Sequence, residues 1–225
     1  VILGIDTSLG TAVAVIDPDG VVRADIGSDN PLGHAEVIGD LLRQATDAAA
    51  ATAAHGSGLP ASGRDEITHV AAGMGPGPFT GLRIGIAAAR AFALARGIPV
   101  VPVPSHDAVA LAILTAAAME GQDDMRFAVV TDARRREFAY TVYAGLDEDG
   151  LPVRVTEPAL VPRDDLDERL AELGAARVEA TSVSAPFLAL AAARALAAGR
   201  ALATAEPLYL RSPDVTVGHA PKRVS

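Results

Sequence analysis

The chain has 225 residues, half of them apolar, and a formal net charge of −9, enough to bury one substantial core or two small, intimately packed lobes. It contains no cysteine, which excludes disulfides and thiolate metal sites and points to a reducing, cytoplasmic compartment. The negative charge, the single lysine Lys222 and an aromatic share of 4% argue against unassisted nucleic-acid binding, where affinity comes from cations displacing counterions; with no charge-free apolar run of about eighteen residues and no basic leader, neither a membrane span nor a secretory signal is expected.

In chain order, VILGIDT (1–7), TAVAVID (11–17) and VVRADIG (21–27) read as three strands of an antiparallel meander, separated by Ser8-Leu9-Gly10 and Pro18-Asp19-Gly20 turns. A long helix is predicted from His34 to about Ala54. Val37, Ile38, Leu41, Leu42, Ala45, Ala48 and Ala49 fall on one face, and Glu36, Asp40, Arg43, Gln44 and Asp47 mostly on the other. A surface loop, HGSGLPASGRD, follows. The buried strand THVAAGMG (68–75) leads through a glycine and proline loop into a helix expected to be capped by Thr80, to run to Arg96 and to stop at Gly97. A short strand, PVVPV (99–103), precedes a helix capped by Ser105 and reaching Met119.

The pattern then starts again. MRFAVVTDARR (125–135), REFAYTVYAG (136–145) and LPVRVTEPALV (151–161) read as three strands, followed by a helix from Arg163 to Glu172, the strand ARVEAT (176–181) and an alanine-rich helix from Ala185 to Ala198. Both halves share the order three strands, helix, strand, helix. In each, the first strand ends in an aspartate, Asp6 and Asp132. The boundaries expected are an N-terminal lobe over 1–104, a C-terminal lobe over 105–217 in which 105–119 is a connecting helix, and a disordered tail over 218–225. Two facing lobes create a cleft, where ligand sites are favoured.

The loop GPGPFTG (75–81) at a helix start offers free amides to an anion, with Asp6, Thr7, Ser8, Gly75, Gly77, Thr80, Gly81 and Asp132 as the candidate nucleotide-binding or anion-binding residues. The competing reading is a turn whose Gly and Pro only satisfy backbone angles. Arg83 opposes the positive end of the helix dipole and needs a partner: a carboxylate such as Asp6 or Asp132, a phosphate, or an acidic residue of another chain. Gly81, Gly85, Ala88 and Ala89 recur at helical spacing and would let a second helix approach, with Leu82, Ile84, Ile86, Phe92 and Leu94 as apolar cover. A bulky residue at Gly85 is accordingly expected to block docking and spare the fold. Arg134-Arg135-Arg136 reads as a solvated turn. Ser105-His106-Asp107 has the composition of a nucleophilic triad, but neighbours on a helix do not face one another. The five histidines include no i, i+4 pair, so no metal centre is expected.

ILGIDTSLGTAVAVI (2–16) and GMGPGPFTGLRIGIAAAR (73–90) resemble the bacterial TsaB (YeaZ) family, whose hallmark GPGSFTGLRIG has serine where Pro78 stands. HAEVIGDLL, TDARRREFAYTVY and PLYLRSPD (207–214) extend the resemblance over nearly the whole chain. It implies an α/β fold of the actin-like, sugar-kinase-like ATPase (ASKHA) class with two duplicated lobes. It also implies a part in forming N6-threonylcarbamoyladenosine beside the tRNA anticodon, as a non-catalytic subunit that supports a TsaD-type transferase, joined by a TsaE-type ATPase. The chain has Ile38 where a histidine partner to His34 would fall, and it lacks the late glycine-rich adenosine grip of active relatives. The expected partner surface, also used for a homodimer in isolation, is His34, Val37, Ile38, Leu41, Leu42, Gly81, Leu82, Arg83, Gly85, Ile86, Ala89, Arg90 and Phe92. No catalytic residue and no tightly bound cofactor are expected; ATP or ADP with magnesium at the subunit junction is the candidate ligand, and tRNA is expected to be met only through the complex. The alternative is a small-molecule kinase or ATPase built on Asp6, Thr80 and Asp132.

Overall fold

The structure, a computed structural model, describes residues 1–28, 30, 33–57, 66–122 and 125–211; the expected tail and most of the loop before Glu66 lie outside them. The meander forms as its alternation predicts: β1 (Ile2–Asp6), β2 (Thr11–Ile16) and β3 (Val22–Ser28) are antiparallel neighbours, and β4 (His69–Gly73) and β5 (Val100–Val103) add in parallel beyond β1, in the order β3-β2-β1-β4-β5.

Period-two alternation sends Leu3 and Ile5 to one face of this sheet and Ile2 to the other. The first face is covered by α1 (His34–Ser57) and α2 (Phe79–Arg96), through Leu41, Ala45 and Ala49 of one and Leu82, Ile86, Ala89 and Ala93 of the other. Each large side chain buried here contributes about 1.5–3 kcal/mol. The second face is covered by α5 (Ala185–Ala197), the last helix among the described residues, whose Leu188, Ala189 and Ala192 meet Ile2, Ile16 and Ala71. That approach is close because residue 4 is glycine; a Cβ there would stand 2.6 Å from the Ala185 carbonyl oxygen.

The second sheet runs β10 (Ala176–Glu179), β6 (Arg126–Asp132), β7 (Glu137–Leu146), with β8 (Pro152–Arg154) and β9 (Ala159–Pro162) sharing the far edge of β7. LPVRVTEPALV is therefore two short strands and not one. Thr156 turns its hydroxyl to accept from the Val142 amide at 3.0 Å, and Pro158, with no amide hydrogen, cannot continue the ladder. α3 (Ser105–Met119) lies beside α5 and presents Ala110 and Leu114 to Phe127, Val129 and Tyr143 of the second sheet. A 3₁₀ turn over Arg163–Asp165 precedes α4 (Leu166–Glu172), so the helix predicted from Arg163 starts three residues later; its Leu166 and Leu170 cover the outer face. Five layers result: α1 with α2, sheet, α5 with α3, sheet, α4.

Strands β6, β7, β8 with β9, and β10 repeat the spatial order of β1, β2, β3 and β4. Asp6 and Asp132 close the equivalent strands β1 and β6.

Candidate functional site

Asp6 is buried, and both of its carboxylate oxygens are occupied. Oδ1 accepts from the Ser8 amide at 2.7 Å and the Ser8 hydroxyl at 2.5 Å; Oδ2 accepts from the Ser105 hydroxyl at 2.5 Å. Burial raises its pKa, opposed by these donors. Ser105 is not the cap of α3: Pro104 holds that position, and the Ser105 hydroxyl instead joins Asp6 to the Gly75 amide, from which it accepts at 3.1 Å.

Thr7 is equally consumed. Its hydroxyl donates to the Gly81 carbonyl at 2.7 Å and accepts from the Gly85 amide at 3.1 Å. A Cβ on Gly85 would fall 2.2 Å from Thr7 Oγ1, and one on Gly81 would fall 2.6 Å from the Thr7 carbonyl oxygen. The small residues expected to admit a partner's helix thus admit the turn between β1 and β2 of the same chain. Leu41, Leu82, Ile86 and Ala89, expected on the partner surface, are buried in the chain's own core, and Val37, Ile38, Leu42 and Phe92 are half-buried against it. His34 is also interior: it is 6% exposed, and its Nδ1 shares a 2.8 Å hydrogen bond with the Thr11 hydroxyl.

Between the two sheets opens a cleft of about 670 Å³. Gly77, Thr80, Gly81, Asp132 and His34 line it, whereas Asp6, Thr7, Ser8 and Gly75 do not. Thr80 is not the helix cap. α2 begins at Phe79 after Pro78, and the Leu82 amide already bonds the Pro78 carbonyl, so the unclaimed amides belong to the residues before Leu82. Across the cleft, the Arg163 guanidinium 2.7 Å away and the Arg134 amide hold the Asp132 carboxyl below its usual range. Arg134, Arg135 and Arg136 form a tight turn in the left-handed region, with φ of 63°, 51° and 63°. Asp6 takes no part in lining this cleft: its carboxylate is buried and already accepts three hydrogen bonds from Ser8 and Ser105. Among the described residues no group of three His, Asp or Glu is placed to hold a metal ion, and no helix is long and apolar enough to cross a membrane.

Within the chain, Arg83 meets Phe79 and Tyr209 and not Asp6 or Asp132. Its guanidinium lies 3.6 Å over the Phe79 ring and donates from Nε to the Tyr209 hydroxyl at 3.1 Å; Arg90 donates to the Ala205 carbonyl at 2.5 Å. The sequence reading missed Phe79 and Tyr209. With only three tyrosines in the chain, Tyr209 inside PLYLR was the available signal. Between Thr80 at its start and Arg96 at its end, and Arg83 and Arg90 aside, the outward face of α2 is apolar: Ala87, Ala91, Leu94 and Ala95 are exposed, Leu94 by 84%.

Ser105, His106 and Asp107 form no triad, since each is bonded to other residues and none to its neighbours. Ser105 reaches β1; His106 bonds Thr141 at 2.8 Å and Thr131 at 3.0 Å; Asp107 accepts from Tyr143 at 2.7 Å and forms a two-pronged ion pair with Arg154. The first turn of α3 is a hub that ties the two sheets together.

Two lobes of like topology around a cleft define an actin-like, sugar-kinase-like protein, here with the aspartate of its first strand locked away. A family model described as TsaD, tRNA N6-adenosine threonylcarbamoyltransferase, matches residues 33–208. The chain belongs to that family, on its TsaB (YeaZ) branch. The solved structure of YeaZ from Pseudomonas aeruginosa superposes with a TM-score of 0.65 at 25% identity, over 93% of this chain and 99% of that one. A second Pseudomonas aeruginosa structure, of an uncharacterised protein similar to peptidase YeaZ, gives 0.67 at the same identity and coverage. An uncharacterised protein of Mycobacterium tuberculosis is 36% identical over 168 residues, 74% of this chain and 67% of its own length. A tRNA N6-adenosine threonylcarbamoyltransferase of Streptococcus suis is 31% identical over 160 residues, 64% of this chain and 44% of that protein.

Proposed function

We propose that the chain is a non-catalytic subunit of the TsaB type. It binds and supports a TsaD-type transferase that forms N6-threonylcarbamoyladenosine beside the tRNA anticodon, with a TsaE-type ATPase as the third component. It pairs with itself when that partner is absent, and it meets tRNA through the complex. The observation that carries this reading is the outward face of α2: exposed Ala87, Ala91, Leu94 and Ala95 with their two neighbouring cations tied to the same chain. A helix face without polar cover is a surface for another apolar face. Affinity then comes from apolar burial, and Arg83 and Arg90 shape the edge through the segment they hold, in place of setting register with the partner's acids.

The test is reconstitution of the modification with purified TsaD-type and TsaE-type proteins, with this chain added, omitted or replaced by Ala91→Glu. The added chain is expected to be required, and Ala91→Glu, folded as a monomer, is expected to weaken co-elution about 100-fold or more, since it buries an unpaired charge. Full modification without the chain overturns the reading. The kinase or ATPase alternative draws less support because Asp6 is engaged on both oxygens. Calorimetric titration of the isolated chain with ATP and magnesium separates the two, tight binding with turnover favouring the enzyme.

A further inference from the structure

After α5 the chain crosses the open side of the cleft, stitched in turn to the two halves of the molecule. Arg154 of β8 donates to the Leu202 carbonyl at 2.8 Å, and Arg90 of α2 holds the Ala205 carbonyl. The Leu208 amide donates to the Met74 carbonyl, just past β4, at 2.8 Å. Tyr209 stacks on Phe79 with ring centroids 4.6 Å apart and accepts from Arg83, and Arg211 pairs with Glu137 of β7. Ala203, Leu208 and Tyr209 pack on the core beneath α1 and α2, while Leu208, Tyr209, Leu210 and Arg211 form one wall of the cleft.

We propose that residues 202–211 are a latch that fixes the separation of the two lobes, so that the cleft does not hinge. The argument is geometric. Behind the cleft the hub at the start of α3 already joins β1 to β6 and β7. Any opening must pivot there and lengthen the front, yet the front segment is fastened at residues 202, 205, 208, 209 and 211, first to the second lobe, then to the first, then to the second again. No single fastening suffices, for a surface ion pair such as Arg211 with Glu137 contributes only about 0–1 kcal/mol. The latch works because the aromatic stack, a backbone bond and two arginine-to-carbonyl bonds act on one short stretch. Enzymes of two lobes use closure to exclude water and complete their sites on the microsecond to millisecond scale; this chain is built against that motion.

The absence of cysteine permits a direct test. Spin labels on Val21→Cys and Glu168→Cys, one in each lobe, report the distance between the lobes by electron–electron resonance in the full chain. The parent is expected to give one narrow distance. With Tyr209→Ala and Arg211→Gln added, the distribution is expected to broaden about twofold, and amide exchange at residues 76–81 and 132–136 to quicken about tenfold, while β1 and β2 keep their protection. An unchanged distance distribution in a variant whose residues 203–211 have lost protection overturns the proposal. Should the combined variant fail to fold, Tyr209→Phe with Arg211→Gln carries the test: it keeps the ring on Phe79 but removes the Arg83 bond and the Glu137 pair together, with faster exchange at 132–136 expected and parental exchange there overturning the proposal.

Discussion

At residue 6 a carboxylate sits in the interior with three hydroxyl or amide donors around it, and its cost depends on every one of them. Ser105→Ala removes the hydroxyl that donates to Oδ2, and the unfolding free energy is expected to drop by about 1–3 kcal/mol in urea titrations. His106 carries a pH signature. Burial pushes its pKa down to about 3, so the folded ring stays neutral while the unfolded chain takes up a proton below its ordinary value of 6.5. Between those limits the unfolded state binds more protons, and the stability present above pH 6.5 declines by about 1.4 kcal/mol per pH unit as the solution is acidified. Asp6 and Asp107, raised by burial, act in the opposite sense: their contribution is full below 3.8 and fades as pH rises through their raised values. His106→Gln keeps a partner for both threonines and leaves Asp6 and Asp107 in place, so denaturation curves from pH 6.5 to pH 5 are expected to be flatter for the variant than for the parent by that amount. Equal slopes would contradict a neutral buried imidazole.

Among the elements, α2 shows what a sequence can and cannot reveal. Its existence, its stop at Gly97 and the shortage of charge were all readable from periodicity and composition. Which side was taken was not, because glycine and alanine occur on both: Gly81, Gly85, Ala89 and Ala93 face inward, and Ala87, Ala91 and Ala95 face out. Small residues announce close approach without saying by what, and only the turn carrying Thr7 decides it. Two glycines are therefore expected to respond in opposite ways. Gly85→Ala drives a Cβ into Thr7 and is expected to cost more than about 1 kcal/mol, whereas Gly39, exposed on α1 with nothing within 4 Å of a Cβ, is expected to gain about 0.5–1 kcal/mol as alanine. Thermal melts of the two variants check both signs. The same ambiguity explains the mistaken caps: Thr80 and Ser105 are good cap residues by type, but extended Pro78 and Pro104 hold the cap positions, and both residues already lie inside their helices.

For the molecule as a whole, repetition of three strands, helix, strand, helix was legible because alternation and turn chemistry mark each strand independently of its neighbours. The long contacts were not. Nothing local in PLYLR points to Phe79 or Glu137, and nothing in the alanine-rich α5 says that it serves the first sheet. A fragment of residues 1–104 would leave Ile2, Ile16, Ala71 and Val103 without the α5 side chains that cover them. It is expected to aggregate or to show no cooperative melt by circular dichroism, and recovery of a well-dispersed amide spectrum from it would contradict the layered account.

The position of α5 against β1 and β2 also has a history in time. Strands β1 and β2 leave the ribosome well before α5 and must wait, one side bare, until that helix has been made. Nascent chains are thus expected to stay open to chaperones and proteases from the emergence of β1 until α5 has followed, and to become resistant in a single step once it docks.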